Sequence, residues 1–398
     1  MQKFSQSPTA PAFVQDPYAF YERVRNSGDP MFFWEDYDVA ATVSYAQVWA
    51  ILRDRRFGRE APPDCRPARP PHQREFWQVE DHSLLELEPP RHTRLRSLIL
   101  RAFTSRRIAA LGPEIEQLAH QLVERSVAQG PDFDLLDTFA RPLPVIIIAR
   151  LLGVPEERAD DLLAWSNAMV GMYQAGRTHE TERAAAQAAL EFRAFMLDYV
   201  DYRRARPADD LITHLIAAEE DGEKLSTDEL ISTCILLLNA GHEATVHTIG
   251  NGVHAILDHG TPRAVLEPAS IDGLVEEILR YDSPLHMFQR WAYDDIEIGR
   301  HVIRKGEKVA CLLAAANRDP SRWSAPQEFD PARPLQTNVA FGAGVHFCIG
   351  APLARLELRT ALPVLFHRLP QLRLSAPAQY APKYHFHGFE SLMVTTRP

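Results

Sequence analysis

From Ser226 to about Asp258 the chain reads as one continuous helix, and a rod of that length limits what the rest can build around it. Ser226 and Glu229 stand at the spacing of a capping box, Leu225 and Leu230 at that of a hydrophobic staple, and Gly260 supplies the stop. At about 1.5 Å per residue the helix spans roughly 45 Å. Its apolar run ISTCILLLNAG is broken by Ser232, Thr233 and Asn239, as LPVIIIARLLGVP is by Arg150. Both fall short of the roughly 20 residues a bilayer crossing needs, so they read as buried helices of a soluble protein.

The helical pattern extends over most of His92 to Gly260, with Ile115, Leu118 and Leu122 on one face. Asp16-Pro17 opens an earlier helix that Gly28 closes, and MFFWEDYDVAATVS reads as a hairpin. Ala61 to Pro90 is proline-rich and aperiodic, too long for an ordinary connection, and is expected to be a functional loop. After the long helix come a helix over IDGLVEEILRYD, β-like pieces over IEIGRHVIRKGEKVACLL, and a last pair of strands around KYHFHGFESLMVTT. The fold class is therefore mainly α with small β-sheets. A length of 398 residues suggests two domains, but no linker or repeat divides the chain, and residues 1–398 are expected to form one domain.

A net charge of −10 argues against nucleic acid as a partner, because phosphate contacts demand a basic stripe. Cys65, Cys234, Cys311 and Cys348 form no CxxC pair, which suggests neither a zinc site nor a disulfide framework and fits reduced thiols in a cytoplasm. The opening MQKFSQSPTAPAF has no apolar core segment and is expected to be neither a signal peptide nor a membrane anchor.

Chemistry concentrates in FGAGVHFCIGAPLARLELR. Gly342, Gly344 and Gly350 let the backbone bend and leave room for a flat object, and Pro352 suits the first turn of a helix starting just after Cys348. A cysteine at a helix N-terminus faces unpaired amide donors, which favour the thiolate. Such a sulfur can be a nucleophile, with His346 as a base, or a metal ligand.

The string FGAGVHFCIGAPLAR resembles, position for position, the FGxGxHxCxGxxLAR haem-binding signature of the cytochrome P450 family. The resemblance implies a haem-thiolate fold holding haem b (iron protoporphyrin IX), with Cys348 as axial ligand among Phe341 and Gly350; thiolate electron density favours O–O cleavage. It further implies that His92 and Arg96 of PPRHTRLR, Arg290 of MFQRW and His346 hold the haem propionates. Glu277 and Arg280 of EEILR, with Arg333 of FDPARP, resemble the family's structural triad. The resemblance covers essentially the whole chain.

On the long helix, AGHEATVHTIG resembles the family's oxygen-binding stretch. Ala240 and Gly241 would let O2 and substrate approach, and Glu243 would help carry protons. Ala244 stands where the family has its usual threonine, and Thr245, about 100° around the helix, cannot simply take over. Water, Thr245 or a substrate hydroxyl must then serve proton delivery. By the same resemblance the substrate pocket draws on Phe76, Trp77, Leu237, Ala240, Leu285, His286, Phe288 and Phe386, which suits a small apolar or aromatic substrate.

No cysteine cluster exists for a fused iron–sulfur module, so electrons are expected from a separate ferredoxin or flavodoxin with its reductase. Arg94, Arg101, Arg106, Arg107 and Arg359 form a candidate docking patch. The expected activity is monooxygenation of a small molecule by O2. The alternatives are a peroxide-driven oxygenase, which Ala244 favours, and a non-catalytic haem protein.

Overall fold

The computed structural model describes residues 1–220 and 223–397. The long helix spans Thr227–Asp258, and its capping box is complete: the Glu229 amide donates to Ser226 Oγ at 3.2 Å and the Ser226 amide to Glu229 Oε2 at 2.9 Å. Most of its residues from Glu229 to Ile256 are buried, because other helices cover it on several sides. Pro142–Leu152 crosses it near Gly241, where Ile148 comes within 3.2 Å of an ideal Cβ position, so a side chain there would crowd the crossing. Ala159–Val170, His179–Ala205 and Ile271–Tyr281 pack against other parts of it.

The β structure is confined to small sheets. The largest has six strands in the order Gln2–Phe4, Met31–Trp34, Val39–Thr42, Lys308–Leu312, Met287–Ala292 and Phe57–Gly58. Met31–Trp34 and Val39–Thr42 form the expected hairpin, with Asp38 at φ 49° in its turn. Asp16 caps the expected early helix by accepting from the amides of Tyr18 and Ala19.

One expectation needs correction. The proline-rich stretch is not wholly aperiodic: Arg74–Glu80 is a helix that buries Phe76 and Val79. Prolines cluster only before it and after it, and REFWQVE between them has room for nearly two turns. The two expected last strands are present, each in a different small sheet. Phe389–Ser391 pairs with Gln379–Tyr380, while Met393–Thr395 lies between Arg373–Leu374 and Asp132–Asp134. Leu392 separates them and turns the chain from one small sheet to the next.

Candidate active site

Cys348 lies in the loop that runs into the helix Ala351–Arg368. Its amide donates to the Phe341 carbonyl at 3.1 Å, closing the loop on itself. Gly344 makes that loop possible: it sits at φ +72°, and a Cβ there would lie 2.2 Å from the Leu52 carbonyl oxygen. Cys234 and Cys311 are buried in the core, whereas Cys348 is exposed, and it is exposed to a cavity of about 840 Å³.

The amides of Gly350 and Ala351 point at the sulfur as a helix N-terminus should. Even so, the sulfur faces the cavity and not bulk water, and desolvation by the surrounding protein is the larger influence and pushes the thiol up, with those amides, Arg96 and Arg355 offsetting only part of it. The expectation of a sulfur already poised as an anion is corrected accordingly. Desolvation outweighs the dipole, and the charge on the sulfur has to come with a metal ion that replaces the proton.

Three of the four expected propionate partners line the cavity: His92, Arg96 and His346. Helical spacing puts His92 and Arg96 on one face of Arg91–Ala102. Arg96 Nη2 donates to the Phe347 carbonyl at 2.8 Å, and His346 Nε2 lies 2.9 Å from Glu88 Oε1. His92 is 2% exposed, and neither of its ring nitrogens has a hydrogen-bond partner. Burial, with His346 and Arg96 beside it, lowers its pKa to about 4, so it is neutral. An orphaned buried donor in a cavity wall is what an anionic group seated there would satisfy. The donor set therefore fits a haem. Arg290 is the exception, as it is not in the lining. It is buried two residues along the strand from Phe288, with its guanidinium 5.6 Å from that ring, which does line the cavity.

The opposite wall comes from the long helix. Leu237, Ala240, Gly241, Ala244 and Thr245 line the cavity, joined by Leu285, Phe288 and Phe386. Thr245 reaches it although it is a step around the helix from Ala244, and its hydroxyl points back to the Gly241 carbonyl at 3.4 Å. Sequence reasoning missed Thr248, one turn beyond Ala244 on the same face, which also lines the cavity and donates to the Ala244 carbonyl at 2.7 Å. Glu243 faces elsewhere. Its carboxylate lies 3.5 Å from His247 and 3.7 Å from His242, and although burial opposes ionisation, the His247 contact holds it down at about 2.

Three expected pocket residues lie outside the lining. Phe76 is buried in the main core, and Trp77 beside it donates to Gln73 at 3.0 Å, because the helix Arg74–Glu80 turns that face inward. His286 is fully buried behind the wall, where its Nδ1 meets the Tyr21 hydroxyl at 2.8 Å. The loop contributes other residues instead: Leu84, Leu85, Glu86 and, from the end of its helix, Glu80. Arg59 pairs with Glu86 at 2.7 Å, and Tyr173 donates to Glu80 at 2.9 Å. Burial and nearby Glu86 push Glu80 up to about 8. Periodicity could not reveal these groups, since their segments meet only in the folded chain.

Behind the cavity, Glu277 and Arg280 form a bidentate pair at 2.7 Å with 3% and 1% side-chain exposure, and Arg333 approaches Glu277 at 3.6 Å. The candidate docking patch is largely neutralised. Arg94 pairs with Glu223 and Glu229, Arg107 with Asp209, and Arg359 with Asp272. Acidic neighbours far away in sequence supply those partners. No helix among the described residues is long and apolar enough to cross a membrane.

Comparison with known proteins adds an independent line. The family profile described as Cytochrome P450 matches residues 271–394. Cytochrome P450 107B1 of Saccharopolyspora erythraea is 37% identical over 385 residues, covering 92% of this chain and 90% of that protein. Vitamin D(3) 25-hydroxylase of Pseudonocardia autotrophica is 38% identical over 370 residues, covering 91% of this chain and 89% of that protein. Among solved structures, P450BioI in complex with hexadec-9Z-enoic acid ligated acyl carrier protein superposes with a TM-score of 0.91 at 34% identity, covering 96% of this chain and 99% of that one.

Proposed function

The chain belongs to the cytochrome P450 family, and on that premise we propose that Cys348 is the haem ligand and that the cavity takes a lipophilic small molecule. As a member, the protein is a haem-thiolate monooxygenase that places one atom of O2 in an organic substrate and reduces the other to water with electrons from an external redox partner. When bound, haem b supplies the oxygen activation.

The chain's own residues then have these roles. Cys348 would hold the metal, with the Gly350 and Ala351 amides stabilising negative charge on the sulfur. Phe341 and Gly350 line the cavity beside it. His92, Arg96 and His346 would hold the anionic edge of the haem, and Arg290, buried beside Phe288, would add positive charge. Ala240 and Gly241 keep the facing helix thin, while Leu237, Leu285, Phe288 and Phe386 exclude water and orient an apolar substrate. Glu277, Arg280 and Arg333 stiffen the structure behind the cavity.

Ala244 leaves the usual hydroxyl missing, so Thr245 and Thr248, which line the same wall, position the proton-carrying groups; Glu243 acts at a distance, through His247. The same substitution supports a second reading, peroxide-driven oxygenation, which peroxide-supported turnover without a redox partner would reveal. We further propose that residues 1–398 act as one haem-binding domain, that a ferredoxin or flavodoxin with its reductase supplies electrons, and that the protein works in the cytoplasm.

The observation that carries the reading is the exposure of Cys348 to a large cavity whose lining is mostly apolar. Its preference for lipophilic molecules is supported by relatives named for vitamin D(3) and solved with hexadec-9Z-enoic acid ligated acyl carrier protein. The test is a spin-state titration of the purified ferric protein against graded lipophilic, aromatic and hydrophilic compounds, followed by product analysis with electrons supplied. Saturable shifts confined to lipophilic compounds, with oxygenated products, are expected; shifts only with hydrophilic compounds would overturn it.

A further inference from the structure

Behind the cavity wall a single antiparallel bridge joins Leu285 to Phe386. Both side chains line the cavity, and the alternation of extended chain turns their neighbours His286 and His387 to the far side. There they meet Asp282, the residue that ends the helix Ile271–Tyr281. One ligand-type atom from each of the three lies within 4.8 Å of the others.

All three are buried: His286 is 0%, His387 1% and Asp282 4% exposed. Polar atoms so deep ordinarily have partners, yet His286 Nε2 and both ring nitrogens of His387 have none. The remaining atoms are well supported. Tyr21 meets His286 Nδ1 at 2.8 Å, Tyr18 and Tyr380 donate to the two Asp282 oxygens at 2.9 and 2.8 Å, and the Tyr380 ring stacks on His387 with centroids 4.0 Å apart. Hydrogen bonds of this kind, one shell out, are what orient imidazole and carboxylate ligands around a metal.

We propose that Asp282, His286 and His387 form a structural site for one divalent transition-metal ion, best matched by zinc, separate from the cavity and its cofactor. Two imidazoles and one carboxylate are a donor set zinc accepts, and one ion would take one nitrogen from each imidazole, where hydrogen bonds leave buried ring nitrogens unpartnered. Its place gives it a purpose. It would tie the end of the helix carrying Glu277 and Arg280 to the C-terminal segment, clamping Leu285 and Phe386 as part of the pocket wall.

The test measures metal on the intact haem-loaded protein, purified without chelators from zinc-supplemented cells, with haem quantified separately. Wild type is expected to hold one zinc per chain, and folded His387→Ala to lose it at least about tenfold. Should that variant fail to fold, zinc-edge X-ray absorption on wild type decides: two imidazoles with oxygen support the site, and sulfur ligation overturns it. Wild type that stays zinc-free after incubation with zinc and gel filtration, or folded His387→Ala that retains its zinc, would equally overturn it.

Discussion

The loop around Cys348 is one short run of chain, whereas the wall facing it draws on the long helix, the loop before Pro90, the strand at Phe288 and the segment at Phe386. The first is held by backbone: an amide–carbonyl bond from Cys348 to Phe341 and a left-handed glycine wedged against Leu52. The second is held by side-chain packing between remote segments. Backbone geometry tolerates few sequences and so leaves a legible motif. Packing tolerates many, and so lets the pocket differ among members that share the cofactor wall.

The sharpest way to break this contrast is at the sulfur itself. Cys348→Ala should abolish the thiolate signature in the ferrous carbon monoxide spectrum and lower turnover by more than about a thousandfold, or about 4 kcal/mol of barrier. A variant spectrum matching wild type would remove the cofactor wall from the comparison altogether. Next comes the rigid support behind the cavity: Glu277→Ala strands the Arg280 charge at 1% exposure and should cost about 3–5 kcal/mol, read from chemical denaturation of the haem-loaded protein.

His92→Ala separates cofactor holding from catalysis. Losing a buried donor to an anionic partner is worth about 1–3 kcal/mol, so haem should pass to an acceptor apoprotein roughly tenfold faster or more, with the thiolate spectrum intact. Glu80 reports on the other wall through pH. Its carboxyl is raised from 4.5 to about 8, so the folded state keeps a proton the unfolded chain has lost. Its contribution is full below about pH 4.5 and fades as pH rises to about 8, by up to ~1.4 kcal/mol per pH unit. Glu80→Gln should flatten that slope in denaturation midpoints taken across the same range. The smallest effect is expected from Ala244→Thr, which restores a hydroxyl and should raise the fraction of reductant converted to product about fivefold or less, near 1 kcal/mol. Unchanged coupling on a true substrate would show that Thr245 and Thr248 already suffice.

Much of the architecture was readable because its causes are local. The box of Ser226 and Glu229, the cap at Asp16, the hairpin at Met31–Thr42 and the proline opening Ala351–Arg368 each act within a few residues. The misjudged residues depend on distant partners. Phe76 and Trp77 turned inward because of how the helix Arg74–Glu80 docks, His286 joined Tyr21, and Arg94 and Arg107 met acids far along the chain.

By itself, then, the order of residues determined the fold class, the long central helix, the cysteine loop and the family, since caps, turns and a glycine-bound motif are short-range devices that few other sequences can imitate. Tertiary structure alone decided which side chains reach the cavity, that burial outweighs the helix amides at Cys348, and that Asp282, His286 and His387 share one buried pocket. Those outcomes depend on desolvation and on contacts between segments far apart in the chain, quantities that exist only once the chain has closed on itself.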